Sequence, residues 1–170
     1  MKELPIGVIS GTFDPVHSGH IALAEAAIKK FSLCKIYFLP EPEPRGKKPV
    51  ATLIQRKKML SLATSYNPKF KLLNLSSQTF SVSDFEELKS IFPNKKIYLI
   101  FGSDAYSKSK AWFKPEYSET YNIYPEGFER DEIAKGVSSG KVKLDIKNGN
   151  YNQMPNSVSN YIKLNSLYSN

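Results

Sequence analysis

Cysteine is nearly absent: Cys34 stands alone among 170 residues, which excludes an intramolecular disulfide and points to a reducing compartment such as the cytoplasm. No apolar run approaches the length that crosses a bilayer, and the opening Met-Lys-Glu-Leu-Pro has no signal-peptide pattern. A membrane partner is therefore not expected. Histidine is almost as scarce, with only His17 and His20 present. No third ligand cluster stands with them, so a protein-held metal is not expected either. Arginine is rare, and the net charge of +8 comes almost wholly from lysines scattered along the chain. Without a basic block interleaved with aromatics, nucleic acid is not indicated. Ligands carrying several phosphates account for the bias equally well. Repeats, low-complexity tracts and linkers are missing too, so the chain reads as one domain long enough to bury a core.

What is present alternates between strand and helix patterns. Ile6, Val8 and Ile9 form a short apolar run that Ser10 and Gly11 break, as at the end of a buried strand. Asp14-Pro15 makes a turn, and from Ile21 the spacing predicts a helix. Lys35–Pro40 reads as a second strand closed by its proline, followed by a charged, Pro-rich loop over Glu41–Ala51. Leu53–Ser65 returns to helical spacing, with Leu53, Ile54, Met59, Leu60 and Leu62 on its apolar face. Phe70–Leu75 is expected as a third strand. Ser81–Phe92 is expected as a helix with Phe85, Leu88 and Ile91 inward, and Lys96–Phe101 as a fully buried strand ending at Gly102-Ser103-Asp104. Further on, Tyr121–Tyr124 suggests a short strand before a Pro125-Glu126-Gly127 turn. Lys141–Lys147 fits strand or helix, and Pro155–Tyr168 one helix or two. Such alternation predicts an α/β fold, a Rossmann-like parallel sheet with helices on both faces. Ligands of such sheets bind beyond the carboxyl ends of the strands, where Thr12–His20, the Pro-rich loop and Gly102–Asp104 should converge.

The stretch Ile6–His20 organises the rest. A strand, a Gly-containing turn and a helix start make an anion site, because the first helical turn leaves N–H groups unpaired. His17 and His20, spaced i and i+3, can point the same way from that helix start. Gly19 between them lets a phosphate approach the backbone.

The residues Gly-Thr-Phe-Asp-Pro-Val-His-Ser-Gly-His at 11–20 closely resemble the signature of the HxGH nucleotidylyltransferase superfamily. Its members transfer a nucleoside monophosphate from ATP or CTP to a phosphate or alcohol acceptor. Later segments resemble its bacterial nicotinate mononucleotide adenylyltransferase branch in particular. These are Glu43-Pro44-Arg45-Gly46-Lys47, Arg56–Leu60, Phe80-Ser81, Gly102-Ser103-Asp104 with Trp112 after it, Tyr161-Ile162 and Asn165-Ser166-Leu167-Tyr168. The branch's Ile-Ser-Ser-Thr-x-x-Arg motif is matched as Val137-Ser138-Ser139-Gly140-Lys141-Val142-Lys143, with Gly140 for the threonine and Lys143 for the arginine. A lysine keeps the charge but not the two-pronged grip on phosphate.

The resemblance implies adenylyl transfer from ATP to nicotinate mononucleotide, a step of NAD biosynthesis. It implies phosphate-handling roles for His17, His20, Lys47 and Lys143. ATP contacts are expected at Gly11, Thr12, Phe13, Gly102, Asp104, Ser138 and Ser139, with Asp104 on the ribose and Ser139 capping a helix near the phosphates. Arg45, Phe80, Ser81 and Trp112 would frame the acceptor. Mg²⁺ would arrive with the ATP phosphates, keeping most of its waters. Arg56, in a chain so poor in arginine, leans towards a functional role. Two other readings stand beside this one: another HxGH transferase, such as a phosphopantetheine adenylyltransferase, and a nucleotide-binding homologue without turnover. Whether the chain forms a homo-oligomer is left open.

Overall fold

The computed structural model describes residues 3–129 and 136–169. Five parallel strands make one sheet: β1 (Ile6–Gly11), β2 (Lys35–Pro40), β3 (Phe70–Leu72), β4 (Ile97–Gly102) and β5 (Ile123–Phe128), in the order β3-β2-β1-β4-β5. The helices are α1 (Ser18–Phe31), α2 (Leu53–Thr64), α3 (Phe85–Ile91), α4 (Ser103–Ser109), α5 (Pro115–Tyr121), α6 (Ser139–Lys147) and α7 (Asn156–Leu164). Strand alternation divides the core in two. Ile9, Ile36, Phe38 and Ile100 face a cluster completed by α1, α2, α6 and α7. Ile6, Val8, Leu39, Ile97 and Leu99 face the other, with Phe85 and Leu88 of α3. Strands covered on both faces read as continuous apolar runs, which is why β1 and β4 were legible. Among the described residues no helix is long and apolar enough to cross a membrane.

Several local expectations are corrected. α1 begins at Ser18, before Ile21, because His17 and His20 close its first turn. β3 stops at Leu72. Ile54 and Ile91, expected inward, are exposed, while Arg56 is buried on α2. The segment Ser81–Phe92 opens as a 3₁₀ turn over Val82–Asp84 before α3. Pro125-Glu126-Gly127 is not a turn but part of β5, with Pro125 opposite Leu99. An edge strand tolerates proline because one side of its ladder is unused. Lys141–Lys147 is helical: the Ser138 hydroxyl accepts the Lys141 N–H at 3.3 Å and starts the turn. Val142 and Ile146 then bury the face that i, i+4 spacing gives them.

Candidate active site

Strand order reverses between β1 and β4, whose crossovers run to opposite sides of the sheet. A cavity of about 530 Å³ opens at their carboxyl ends. Such a switch point is where open α/β sheets bind ligands, since the flanking connections splay apart there. Gly11, Thr12 and Phe13 after β1 line it, with His17 and His20 of α1 and Gly102 of β4. Lys47 and Lys48 reach it from the loop after β2, and Ser138, Ser139 and Lys143 from α6. The N-termini of two helices, α1 and α6, thus meet in one cavity that also holds three lysines. Helix dipoles and ammonium groups together select a polyanion.

The histidines are held as a pair. His17 is the N-cap of α1 and His20 its third residue, with ring centroids 3.8 Å apart and planes stacked. The His17 backbone N–H donates to His20 Nδ1 at 3.2 Å. With Nδ1 accepting, the proton of a neutral His20 ring sits on Nε2, which becomes a donor. Phe13 supports His20 edge-on at 4.9 Å. Phe13 is fully buried, also packs on Phe38, and has a φ of 50°. A bulky residue in the left-handed region stores strain, and only tight surroundings keep it there.

Lys143 does not stand alone in the cavity: its Nζ donates to Asp14 Oδ2 at 2.6 Å. Burial pushes the Asp14 carboxyl up, but Lys143, the Val50 N–H, the Tyr168 hydroxyl and the Ala51 N–H outweigh it and hold the group below its ordinary range. By sequence Asp14 is a turn residue. Nothing local marks it, because Lys143 and Tyr168 lie 129 and 154 positions away. Among the described residues no three His, Cys, Asp or Glu side chains gather as a metal-binding group.

Other expected site residues fall outside the lining. Asp104 is exposed in the first turn of α4. Arg45 is exposed on the loop after β2. Phe80 and Trp112 pack on Phe85, at centroid distances of 6.1 and 6.4 Å, on the opposite face of the sheet from α1. The Ser81 N–H is taken by Asp84 Oδ2 at 2.7 Å. Ser139 does not cap α6; Ser138 does, and Ser139 is the first helical residue. Arg56 does not reach the cavity lining. Its guanidinium is spent on the carbonyls of Thr12, Glu41, Pro42 and Ala51. Asp14 and Lys48 are lining residues that motif reading passed over.

Comparison with known proteins agrees with this geometry. A cytidylyltransferase-like family model matches residues 8–144. A probable nicotinate-nucleotide adenylyltransferase of Dictyoglomus thermophilum is 30% identical over 194 residues, covering 97% of this chain and 100% of that protein. Its counterpart in Dictyoglomus turgidum is 38% identical over 117 residues, a stretch that covers 66% of this chain and 58% of that protein. Among solved structures, the Plasmodium falciparum nicotinic acid mononucleotide adenylyltransferase complexed with NaAD superposes with a TM-score of 0.73 at 16% identity, covering 98% of each chain. At that identity the likeness speaks for the fold.

Proposed function

The chain belongs to the cytidylyltransferase-like family, and from that premise we propose that it transfers the adenylyl group of ATP to nicotinate mononucleotide, giving nicotinate adenine dinucleotide and pyrophosphate. The observation that carries the reading is the cavity at the β1/β4 switch point, where both histidines, two helix N-termini and Lys47, Lys48 and Lys143 meet. The names of the full-length relatives point to the acceptor.

The acceptor's phosphate oxygen attacks the α-phosphorus of ATP in line. The bond from that phosphorus to the bridging oxygen of the β-phosphate breaks, and pyrophosphate leaves with the electron pair. No protein nucleophile is required, so catalysis is positioning together with neutralisation of charge. His20 donates from Nε2 to a phosphate oxygen, beside His17 and the backbone N–H groups near Gly11 and Thr12. Lys47 and Lys143 balance the pyrophosphate as it departs. Mg²⁺ would arrive with the nucleotide and add to the neutralisation of its phosphate charge. Asp104 on the ribose, and Arg45, Phe80, Ser81 and Trp112 around the acceptor, complete the assignment.

The direct test is pyrophosphate release from ATP with a panel of acceptors. Turnover is expected with nicotinate mononucleotide. Turnover only with a phosphopantetheine acceptor, or with none, would reject the proposal.

Lys143→Ala is expected to lower kcat/KM for ATP by roughly tenfold to a hundredfold, the worth of a charged hydrogen bond of about 1.5–3 kcal/mol. Lys143→Arg should keep activity or raise it, because a guanidinium can hold Asp14 and grip phosphate at once. If alanine proves harmless in steady-state kinetics, the phosphate role of Lys143 is wrong.

Trp112 reports on the acceptor side. Nicotinate mononucleotide should change its fluorescence saturably, and Trp112→Ala should weaken the acceptor's apparent affinity about two- to twelvefold, as loss of a stacking contact predicts. ATP affinity should change less. A lower melting temperature with acceptor affinity intact would leave Trp112 a packing partner of Phe85 and Phe113 only.

A further inference from the structure

Asp14 lies in the cavity wall, yet it has no capacity left for a substrate. Its side chain is 2% exposed. Oδ1 accepts the Ala51 N–H at 3.0 Å and the Tyr168 hydroxyl at 2.7 Å. Oδ2 accepts the Val50 N–H at 2.9 Å and the Lys143 ammonium at 2.6 Å. An ionised carboxylate offers about four acceptor positions, and all are used. Asp14 is thus neither a general base nor a metal ligand; it is a clamp that joins the loop after β2, helix α6 and the residues following α7.

We propose that Tyr168 is a positioning residue for nucleotide binding: through Asp14, its hydroxyl fixes where the Lys143 ammonium stands in the cavity. Each carboxylate oxygen accepts one backbone N–H, Ala51's at Oδ1 and Val50's at Oδ2. The Tyr168 hydroxyl takes the second position on Oδ1 and the Lys143 ammonium the second on Oδ2, so losing the hydroxyl frees Oδ1 to shift and with it the direction that Oδ2 offers to Lys143. The ring of Tyr168 also sits 5.8 Å from Lys143 Nζ, which bounds the ammonium from a second side. Tyr168 is itself fixed, being 4% exposed with a φ of 64°. The turn before it is closed by the Leu167 N–H on the Ile162 carbonyl at 3.0 Å. An ammonium has three donors, and Asp14 takes one, which leaves two for phosphate oxygens.

The groups around the clamp pull in both directions: the Arg56 guanidinium draws the Tyr168 phenol down, while burial and Asp14 hold it up. Arg56 of α2 faces both Asp14 and Tyr168, and Tyr161 of α7 faces Tyr168. Burial, and then the Asp14 carboxylate, push the Tyr168 phenol far above its ordinary range. The hydroxyl therefore stays a donor at any working pH. Lysine at position 143 makes the clamp matter, since a flexible stem with a point charge takes its direction from whatever holds it.

The proposal rests on the nucleotidyl-transfer reading for its kinetics, so the test pairs kcat/KM with ATP binding by calorimetry. Tyr168→Phe keeps the ring and removes only the hydroxyl. It is expected to raise the Kd for ATP and lower kcat/KM for ATP by about tenfold, within the range of coupled neighbours. The deciding measurement is a double-mutant cycle with Lys143→Gln. With glutamine at 143, the tyrosine change should cost nothing further, because its effect passes through the ammonium. Losses that simply add, or a neutral Tyr168→Phe, would overturn the proposal. If Tyr168→Phe melts below the assay temperature, Asp14→Asn takes its place in the same cycle under the same criterion. A wild-type protein that binds ATP but releases no pyrophosphate would count against the proposed function alone, since the binding cycle still decides this one.

Discussion

Replacing His20 with alanine is expected to lower kcat by about 100-fold or more, the usual cost of removing one preorganised donor from a transition state. The geometry explains the size. His20 is held from three sides: Nδ1 accepts the His17 N–H at 3.2 Å, the His17 ring stacks at 3.8 Å, and Phe13 meets it edge-on at 4.9 Å. A donor fixed before the substrate arrives needs little reorganisation when charge moves onto the departing oxygen. Alanine also removes the acceptor that satisfies the first turn of α1, worth about 1 kcal/mol of stability. That is a modest part of the roughly 5–15 kcal/mol typical of a domain, so the variant should fold.

His20→Glu separates the two losses. A glutamate at the third helical position restores the capping acceptor and suits the helix dipole. Its charge would oppose the phosphates. Its melting temperature should stay near wild type while turnover falls at least as far as with alanine. Near wild-type pyrophosphate release from a folded His20→Ala protein would dismiss the phosphate-holding role.

The histidine pair was legible because everything that defines it is local: a strand end, a turn and a helix start within fifteen residues. The parallel sheet was legible for the same reason, since Ile6–Ile9 and Ile97–Phe101 are apolar runs too short for helices. What stayed hidden depends on contacts across the fold. Asp14 looks like any turn aspartate until α6 and the residues after α7 bring Lys143 and Tyr168 to it. Ser138 and Ser139 are equivalent caps by composition. The extended backbone of Ser138, with φ −143° and ψ 156°, decides between them. Pro125 and Gly127 carry turn chemistry, but an edge position beside β4 turns them into strand. Phe80 and Trp112 match a motif, yet motif spacing cannot say which face of the sheet an aromatic will join.

Arg56 shows how rarity can mislead, and it carries the largest stability prediction. A scarce arginine near a phosphate cavity invites a substrate role, but Arg56 is only 1% exposed. NH1 donates to the Thr12 and Glu41 carbonyls, both at 2.8 Å. NH2 donates to Pro42 at 3.1 Å and Nε to Ala51 at 3.3 Å. Four of the five N–H donors a guanidinium carries are thereby spent on backbone. Burial pulls its pKa below the ordinary value, while the field of Asp14 and Glu41 works in the other direction. Arg56→Met fills much of the volume but leaves these carbonyls without their donor, at about 1–3 kcal/mol for each that water cannot reach. A total loss of about 3–5 kcal/mol follows, in line with breaking a buried charged network. For a chain of this size that lowers the melting temperature by roughly 6–20 °C. Arg56→Lys should recover little, because one ammonium cannot span carbonyls that a planar fork reaches from two edges. Calorimetric melting of the three proteins checks this. An Arg56→Lys protein that melts like wild type but has lost turnover would return Arg56 to the substrate and defeat the structural reading.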